Sequence, residues 1–490
     1  MDNNRTVQAL WVGLGSLSTF ALSFVSAAIL SRYFNKHDYG TYKQILFVYN
    51  SLLIFFSAGL PRVYSYFLPK YSVEEGKSIV NKIGVALAIS GLLFGVVLFS
   101  CAEVIGYALR NPDISIGLKY FSLVPVFMFP TFGVEGIFAT YQKTKYIAVY
   151  QTLTRFLMLF FIVGAVVFFE GTYLNAIYGW VIVSILSLII ALYFKSIPFK
   201  GVKSVSTNLT YKDLYTYSLP IVLASIAGVA IKSADQFYIS RFFGSEIFAE
   251  FSNGFIELPL VTMITGATSA VLMPLFSRIK SKQVDYNEIC VVWKSALYKS
   301  ATIIYPLVIF FMWFAQDIVV LLYSNVYSNS SLYFQLALVI NFFNLIIFAP
   351  LLFAFGETQY YFKLHLIIAL LAWIGGAIVL FIFNSPIAIS IFSVCLSIFK
   401  IVLGMIKSSE LLDTKVWNLF PFRTLIPILI QSICVILLVS FTRQIYFGDL
   451  HIVIRLLVCF ILYSGLVLIT SRFFGIDYLT VISPIIKRLI

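Results

Sequence analysis

Long apolar runs recur along the whole of this chain, each separated from the next by a short cluster of charged or turn-forming residues. A helix that crosses a bilayer needs about 20 mostly apolar residues, and fourteen candidate runs can be marked between residues 7 and 470. Of the 490 residues, 60% are hydrophobic and only 11% are charged, which excludes an ordinary soluble globular protein. The sequence therefore predicts an all-α polytopic membrane protein with about 14 transmembrane helices.

The net charge of +13 has two candidate origins, nucleic-acid binding and membrane topology. Because the basic residues stand singly between apolar runs, they favour topology and an anionic cargo, with no nucleic acid as a partner. The five cysteines are scattered and include no CxxC pair, so neither a disulfide framework nor a metal site is expected, and no cofactor is predicted. Residues 7–30 exceed the apolar core of a signal peptide and are interpreted as the first spanning helix.

The distribution of Lys and Arg between the runs predicts the orientation of the chain. If the N-terminus is cytoplasmic, most of these residues fall in inner loops: Lys70, Lys77, Lys82, Lys143, Lys145, Lys195, Lys200, Lys203, Lys212, Arg278, Lys280, Lys282, Lys407, Lys415 and Arg423. The outer loops contain far fewer: Arg32, Lys36, Lys43, Arg110, Lys119, Arg241 and Arg443. We therefore expect both termini to be cytoplasmic.

Short matching segments indicate an internal duplication. Ser31-Arg32-Tyr33-Phe34 recurs as Ser240-Arg241-Phe242-Phe243, 209 residues later. Two further matches keep the same order, pairing residues 102–123 with 315–336 at an offset of 213 and residues 144–146 with 358–360 at an offset of 214. Since each unit has six helices, an even number, the two repeats must be parallel, and the cargo path is expected between them.

The duplication predicts the domain organisation of the chain. Residues 1–196 form an N-terminal six-helix bundle, residues 197–214 a cytoplasmic linker and residues 215–406 a C-terminal six-helix bundle. Residues 407–490 add two transmembrane helices and a tail. The fold class expected is two parallel six-helix repeats with an additional C-terminal helical pair.

Motifs of enzymes and ATPases are missing from the sequence. Gly76-Lys77-Ser78 has the ending of a phosphate-binding loop, but Tyr71 stands where its first glycine is required. The connecting loops are too short for a soluble catalytic domain. The chain is therefore predicted to act within the membrane and not to be an enzyme.

Charged residues inside the apolar runs are the strongest candidates for function. A charge at the bilayer centre costs about 2.5–3.5 kcal/mol even on a translocon-insertion scale, so each needs a partner or a water-filled cavity. The basic candidates for binding an anionic substrate are Arg62, Arg155, Lys232, Lys294 and Lys299. The carboxylates that protonation could neutralise, and which are therefore candidates for ion coupling, are Glu135, Asp235 and Glu257.

Several of these residues also have a structural interpretation. Arg62 and Lys294 lie where a long side chain can reach the interface by snorkelling. Lys232 and Asp235 are three residues apart on one helix face, where they can equally form a buried structural bridge. Arg155 lies about ten residues into its run, where an interior position is favoured.

Two polar helix faces accompany the candidate charges. The face of the first helix, which can either line a cavity or pack against a neighbouring helix, is formed by Ser16, Thr19, Ser23 and Ser26. The offset of 209 maps these positions onto Ser225, Gly228, Lys232 and Asp235. A further polar stripe at helical spacing is expected in the eighth predicted helix, residues 247–276, from Glu250, Asn253 and Glu257.

The segment Ala28-Ile29-Leu30-Ser31-Arg32-Tyr33-Phe34, followed by Tyr39-Gly40-Thr41-Tyr42, resembles the opening of bacterial polysaccharide flippases. The segment Leu321-Leu322-Tyr323-Ser324-Asn325-Val326-Tyr327 does so too. These flippases are the oligosaccharide exporter group of the multidrug/oligosaccharidyl-lipid/polysaccharide (MOP) exporter superfamily. The resemblance implies a V-shaped pair of six-helix bundles around a cationic cavity. Because the family's cationic cavity is not a fixed motif, no family site residue transfers to a numbered position.

The resemblance also implies a cargo and a location. The cargo would be an oligosaccharide repeat unit on undecaprenyl pyrophosphate, flipped outward across the bacterial plasma membrane for O-antigen, capsule or exopolysaccharide synthesis. Expected partners are membrane lipids, H+ or Na+ as a coupling ion, and the polysaccharide polymerase and chain-length machinery. The sequence does not identify the oligosaccharide, the coupling ion or the oligomeric state.

Three other functions remain open from the sequence. A cation-coupled multidrug antiporter of the same superfamily would favour a carboxylate-rich cavity, whereas basic residues outnumber acidic ones among the candidates. A membrane polymerase or glycosyltransferase of the same pathway would be expected to have a larger extramembrane loop or a catalytic motif. A passive channel is disfavoured by the internal duplication, which is typical of transporters.

Overall fold

The computed structural model describes residues 2–169, 171–281, 286–447 and 450–478, and these residues form helices and their connections. The end of the predicted C-terminal tail, and Lys282 of a predicted inner loop, lie outside the described residues. The helices are α1 (Asp2–Tyr33), α2 (Lys36–Ser57), α3 (Leu60–Phe67), α4 (Val73–Ser100), α5 (Ala102–Ala108), α6 (Asp113–Phe121), α7 (Leu123–Met128), α8 (Val134–Thr140), α9 (Lys145–Met158), α10 (Gly164–Phe168), α11 (Tyr173–Ser196), α12 (Tyr211–Gly254), α13 (Pro259–Ser281), α14 (Tyr286–Trp313), α15 (Ala315–Tyr323), α16 (Ser330–Asn344), α17 (Ala349–Ala354), α18 (Thr358–Phe383), α19 (Pro386–Leu411), α20 (Val416–Leu419), α21 (Phe422–Tyr446) and α22 (Ile452–Thr470).

Twelve helical segments of the described chain are long and apolar enough to cross a membrane. Two bent segments bring the number to 14: Lys36–Ser57 with Leu60–Lys70, bent by 43°, and Tyr211–Leu223 with Ser225–Gly254, bent by 41°. The predicted all-α polytopic fold is confirmed. The chain is a multi-pass membrane protein.

The starts of the helices repeat along the chain and confirm the duplication. α12 begins 209 residues after α1. The starts of α5, α9 and α11 recur as those of α15, α18 and α19, each 213 residues later. Even the gap between α1 and α2 has its counterpart, since α12 leaves helical geometry at Gly244, where φ is 83°.

The chain forms two compact units, a first unit of Met1–Ala249 and a second unit of Glu250–Ile490. Most of α12, which belongs to the second repeat by sequence, therefore lies in the first unit. The division into bundles at residues 1–196, 215–406 and 407–490 stays a prediction.

Several predicted helices are broken in the structure, two of them where predicted site residues lie. The predicted fourth helix, residues 120–139, is interrupted after α7, where Pro130 forms a short 3-10 turn and Gly133 takes a φ of 86° before α8 begins. The predicted eighth helix, residues 247–276, is interrupted between Gly254 and Pro259. Proline lacks an amide hydrogen and restricts the residue before it, so an apolar run that contains proline and glycine need not form one helix.

Close helix contacts in the first unit depend on small residues. In a membrane, an apolar side chain gains little by moving from lipid to a neighbouring helix, so helices associate through close packing. Gly91 and Gly95 are four residues apart on α4 and face the carbonyl oxygens of Pro125 and Ser122. A Cβ atom at these glycines would lie 2.5 and 2.6 Å from those oxygens. Glycine at both positions therefore allows the backbones of α4 and α7 to approach each other.

In the second unit, the helical pair α21 and α22 packs against the second repeat through polar contacts. Asp317 of α15 forms ion pairs with Arg443 of α21 at 2.8 Å and with Arg455 of α22 at 3.0 Å. The Tyr463 hydroxyl of α22 donates a hydrogen bond to the carbonyl of Pro306 in α14 at 3.0 Å. A single carboxylate therefore joins both helices of the pair to the repeat.

Candidate cation-lined cavities of the first unit

Two cavities of the first unit have Arg155 in both of their linings. The larger cavity, about 490 Å³, is lined by Arg155 and by polar side chains from several helices: Thr19, Ser57, Thr131, Glu135, Gln151, Thr154 and Ser187. The smaller cavity, about 190 Å³, is lined by Arg155 together with Ser23, Ser26, Tyr39, Tyr42, Lys43 and Trp180. The guanidinium of Arg155 is half-buried, and its Nη1 lies 3.4 Å from the sulfur of Met158.

The lining of the larger cavity includes the carboxylate of Glu135 and two oxygen atoms that have no hydrogen-bond partner. The amide Nε2 of Gln151 donates a hydrogen bond to Glu135 at 2.6 Å. The other amide atom, Oε1 of Gln151, is buried without a hydrogen-bond partner, and so is the hydroxyl of Ser187. Gln151 can pack this closely because Gly15 of α1 faces it, and any side chain at Gly15 would collide with the amide.

The smaller cavity is lined by a second basic side chain besides Arg155, that of Lys43. Lys43 lies on α2, two turns from the helix start at Lys36. The indole of Trp180 donates a hydrogen bond to the Tyr42 hydroxyl at 2.9 Å, which orients both rings at the cavity wall. Two basic side chains surrounded by hydroxyls and an indole can bind an anionic, oxygen-rich group.

The polar face predicted for α1 does line these cavities. Thr19 borders the larger cavity, and Ser23 and Ser26 border the smaller one. Three of the four residues predicted on this face therefore line the cavities, and α1 also packs against α9.

The structure brings together two of the predicted site residues, Glu135 and Arg155. The other predicted residues of the first unit lie elsewhere along its helices. Arg62 is exposed on α3, next to Pro61 of the larger cavity wall. On α12, Lys232 is exposed, whereas Asp235 is buried and its carboxylate accepts a hydrogen bond from the backbone amide of Gln236 at 2.7 Å.

The remaining predicted residues lie in the second unit. Lys294 is half-buried and Lys299 is exposed, both on α14. Glu257 is exposed in the non-helical link between α12 and α13, so the predicted helical stripe with Glu250 and Asn253 is wrong at this position. The physical reason is the break that ends α12 at Gly254 and precedes Pro259.

Glu250 has a structural environment that the sequence did not predict. Its side chain is only 3% exposed, and a carboxylate oxygen accepts a hydrogen bond from the Asn329 amide at 3.3 Å. Asn329 immediately precedes α16, so the carboxylate lies at the amino-terminal end of that helix, where a negative charge is favourable.

The sequence assigns Lys43 and Lys195 to loops, but the structure places both inside the first unit. Lys43 could have been found from Asn35, whose side chain accepts a hydrogen bond from the Asp38 amide at 2.8 Å and caps α2. An Asn three residues before an acid is a helix-start signal. With this signal, the predicted start of the second helix moves from Gln44 to a position before Lys43. Lys195 is in the last turn of α11 and is 7% exposed, and no sequence signal distinguishes it from a snorkelling lysine.

A third cavity, in the second unit, has a different character. It measures about 600 Å³ and is lined by Gln335 and by apolar side chains of α14, α16 and α21: Ile309, Met312, Trp313, Phe342, Leu429, Ile433 and Ile436. None of these lining side chains is charged. Among the described residues, no group of three or more His, Cys, Asp or Glu side chains could hold a metal ion.

The sequence model of a family described as "Polysaccharide biosynthesis protein" matches residues 7–280. No curated protein sequence matches the chain.

Several solved structures have the same fold at low sequence identity. An inward-facing multidrug resistance MATE family transporter of the MOP superfamily aligns with a TM-score of 0.64 at 12% identity, over 82% of this chain and 94% of its own. The lipid II flippase MurJ in an inward closed conformation has a TM-score of 0.64 at 14% identity, over 94% and 99% of the two chains. A MOP superfamily transporter from Pyrococcus furiosus has a TM-score of 0.59 at 12% identity, over 83% and 95%.

Proposed function

The chain belongs to the polysaccharide biosynthesis protein family and has the fold of MOP superfamily transporters, and from this we propose that it is a flippase for lipid-linked oligosaccharide. The cargo would be an oligosaccharide repeat unit on undecaprenyl pyrophosphate, moved from the cytoplasmic to the outer face of the plasma membrane by alternating access. The product would serve O-antigen, capsule or exopolysaccharide synthesis. The family assignment supports transport, and it does not imply any catalytic activity.

The observation that carries this proposal is the pair of basic side chains, Lys43 and Arg155, around one cavity of the first unit. A pyrophosphate and its sugars cannot cross hydrocarbon unaided, because the desolvation of such groups is costly without replacement hydrogen bonds. Charge-assisted hydrogen bonds from Lys and Arg can replace that hydration. The fold is shared with a protein named as a lipid II flippase, which supports a lipid-linked cargo.

The other basic candidates extend the same proposal along the cargo path. We assign to substrate binding, besides Lys43, the residues Arg62, Arg155, Lys232, Lys294 and Lys299. The candidate coupling carboxylates, which would bind H+ or Na+, are Glu135, Asp235 and Glu257. Among these three, Glu135 has the strongest support, because it lines the same cavity as Arg155 and accepts a hydrogen bond from Gln151.

The proposed orientation has both termini in the cytoplasm of a bacterial cell. Lys and Arg are concentrated in the connections that this orientation assigns to the inside, which supports it. Partners proposed from the sequence are the polysaccharide polymerase and the chain-length machinery.

Gene deletion in the host, with measurement of lipid-linked oligosaccharide and of surface polysaccharide, tests the proposed cargo. We expect the lipid-linked intermediate to accumulate and surface polymer to be lost. Complementation with wild type should restore the polymer, whereas Arg155→Ala should reduce the flipping rate by roughly tenfold to a hundredfold, since a hydrogen bond to a charged group contributes about 1.5–3 kcal/mol. Arg423→Ala, at an exposed arginine at the start of α21, is the matched control and should restore the polymer fully.

Two outcomes would contradict the proposal. Normal surface polymer in the deletion strain, together with altered drug sensitivity, would indicate a multidrug antiporter instead. Loss of polymer without accumulation of the lipid-linked intermediate would indicate a polymerase or glycosyltransferase. In the same strains, Glu135→Gln tests coupling: we expect flipping to lose its dependence on the ion gradient, and an unchanged rate and dependence would exclude Glu135 as the coupling group.

A further inference from the structure

Lys195 has an unusual environment for a lysine at the end of a membrane helix. Its ammonium is buried and lies 2.7 Å from the carbonyl oxygen of Pro130 and 2.7 Å from that of Phe132. It also lies 3.4 Å from the Tyr64 hydroxyl and 5.2 Å from the centre of the Tyr64 ring. All three acceptors are uncharged, so the positive charge of Lys195 is held by dipoles and an aromatic face.

The two carbonyls belong to the break between α7 and α8. The last carbonyls of a helix lack donors within that helix, and the ammonium of Lys195 supplies a donor to both. Gly133, which follows Phe132, has a φ of 86°, and a Cβ atom there would collide with the Tyr64 ring. Tyr64 therefore contacts both the break, at Gly133, and the ammonium of Lys195.

The break forms part of the wall of the larger cavity. Thr131, Phe132, Gly133 and Glu135 all line it. Glu135 is in the first turn of α8, two residues after Gly133. Any change in the path of the chain at the break therefore moves Glu135 relative to Gln151 and Arg155, which are on α9.

The second repeat has a break at the matching place, but a serine stands at the position that matches Lys195. There the chain leaves α16 at Asn344 and enters α17 at Ala349. The offset of 213 places Ser408 at the position of Lys195, and its hydroxyl donates to the carbonyl of Gly404 in its own helix at 2.8 Å. The ring of Phe348 packs against Gly404 instead, so this break is covered by an apolar contact.

We propose that Lys195 is a positioning residue for Glu135: its ammonium holds the carbonyls of Pro130 and Phe132, and this fixes the break that presents the carboxylate to the larger cavity. The role of Glu135 in coupling rests on the proposed function. The geometric part of the proposal, that Lys195 fixes the break and with it the position of Glu135, does not rest on it. At the position of the second repeat that matches Lys195, the chain has Ser408. Lys195 acts through Glu135 and does not itself line the larger cavity.

Thiol labelling in membranes tests the geometric part without any assay of transport. In a background with the five native cysteines replaced, Glu135→Cys reports on the break, and Thr19→Cys, on α1, reports on another part of the same cavity wall. We expect Lys195→Met to change the maleimide labelling rate of the Glu135→Cys reporter by roughly tenfold, which corresponds to about 1.4 kcal/mol. Lys195→Arg, which keeps the charge and the donors, should leave the rate near that of the Lys195 parent.

Two controls make this result specific. Lys200→Met removes an exposed lysine close by in the chain and should change neither reporter. The Thr19→Cys reporter should label at one rate in all backgrounds, because α1 lies outside the break. Unchanged labelling of the Glu135→Cys reporter in Lys195→Met would overturn the proposal, and equal changes at both reporters would replace it with a general structural role.

Transport measurements then test the functional part. With Glu135 intact, Lys195→Met should lower the rate and shift its dependence on the ion gradient, and Lys195→Arg should restore both. If Lys195→Met lowers the rate while the gradient dependence stays that of wild type, Lys195 does not position the coupling group. A wild-type protein that does not move lipid-linked oligosaccharide would contradict the proposed function and leave the labelling result standing.

Discussion

Charged side chains inside the first unit are held in two ways, at a cavity or by carbonyl oxygens from other parts of the chain. Glu135 and Arg155 were found because a charge well inside an apolar run has to face a cavity or a partner, and the structure places both at one cavity. Lys195 stands at the end of an apolar run, where a lysine that snorkels outward and one that folds inward have the same sequence pattern. Whether the lysine points inward depends on the hydrogen-bond acceptors that other parts of the chain supply. For Lys195 these are the carbonyls of Pro130 and Phe132.

Gly133→Ala tests the backbone requirement at the break. A residue with a side chain at a φ of 86° is strained by about 1–3 kcal/mol, and its Cβ would also displace the Tyr64 ring. We therefore expect a lower unfolding midpoint in detergent. Gly228→Ala on α12 is the matched control, because a Cβ atom added there would have no neighbouring atom within 4 Å; it should be neutral or stabilising by about 0.5–1 kcal/mol, as Ala is in a helix interior. Equal midpoints for the two variants would contradict this account.

Helices were predicted more reliably than their breaks. Hydropathy identifies a segment as long enough to cross the membrane, and the predicted number of spans lies within the 12 to 14 observed. Hydropathy is averaged over a window, so single helix-breaking residues do not interrupt a predicted run. Such residues are present at both breaks, Pro130 and Gly133 at the first and Pro259 at the second. Glu257 was assigned to a helix for this reason, and it lies in a link between two helices.

Asp317→Asn tests the attachment of α21 and α22 to the second repeat. The Asp317 side chain is 14% exposed and pairs with two arginines, so its neutralisation leaves two partly buried cations without their shared carboxylate. We expect a loss of about 2–3 kcal/mol in the free energy of unfolding, somewhat below the range for breaking a fully buried pair. Glu103→Gln removes a carboxylate from an exposed pair with Lys119 and should cause no measurable change. If both variants unfold alike, Asp317 does not hold the pair.

At the scale of the whole molecule, the sequence predicted the duplication and the order of the helices. It did not predict that the compact units would differ from the repeats. α12 carries the sequence signature of the second repeat, yet its residues contact α2 of the first. The Gln44 amide donates to the Ser240 hydroxyl at 2.8 Å, and the Ser51 and Ser233 hydroxyls lie 3.2 Å apart.

A disulfide between Ser51→Cys and Ser233→Cys tests whether this contact between repeats must open during transport. The two hydroxyls are close enough for their sulfur replacements to form a bond of about 2.05 Å. In the background without native cysteines, we expect oxidation to lower flipping by at least roughly tenfold, since a bias of only about 1.4 kcal/mol already has that effect. Reductant should restore the rate, and neither single variant should respond to oxidant. Full activity of the oxidised pair would show that α2 and α12 stay together throughout the cycle.

The placement of α12 has a consequence for how the chain can be divided. The junction of the ancestral duplication lies before α12, whereas the boundary between the compact units lies near its end. A gene cut between α11 and α12 would separate α12 from the residues of α2 that it contacts. A cut in the non-helical link after Gly254 would leave each fragment with nearly all of its own compact unit. Co-expressed halves should therefore reassemble better when the gene is cut after Gly254 than when it is cut between α11 and α12, although the latter cut follows the sequence repeat.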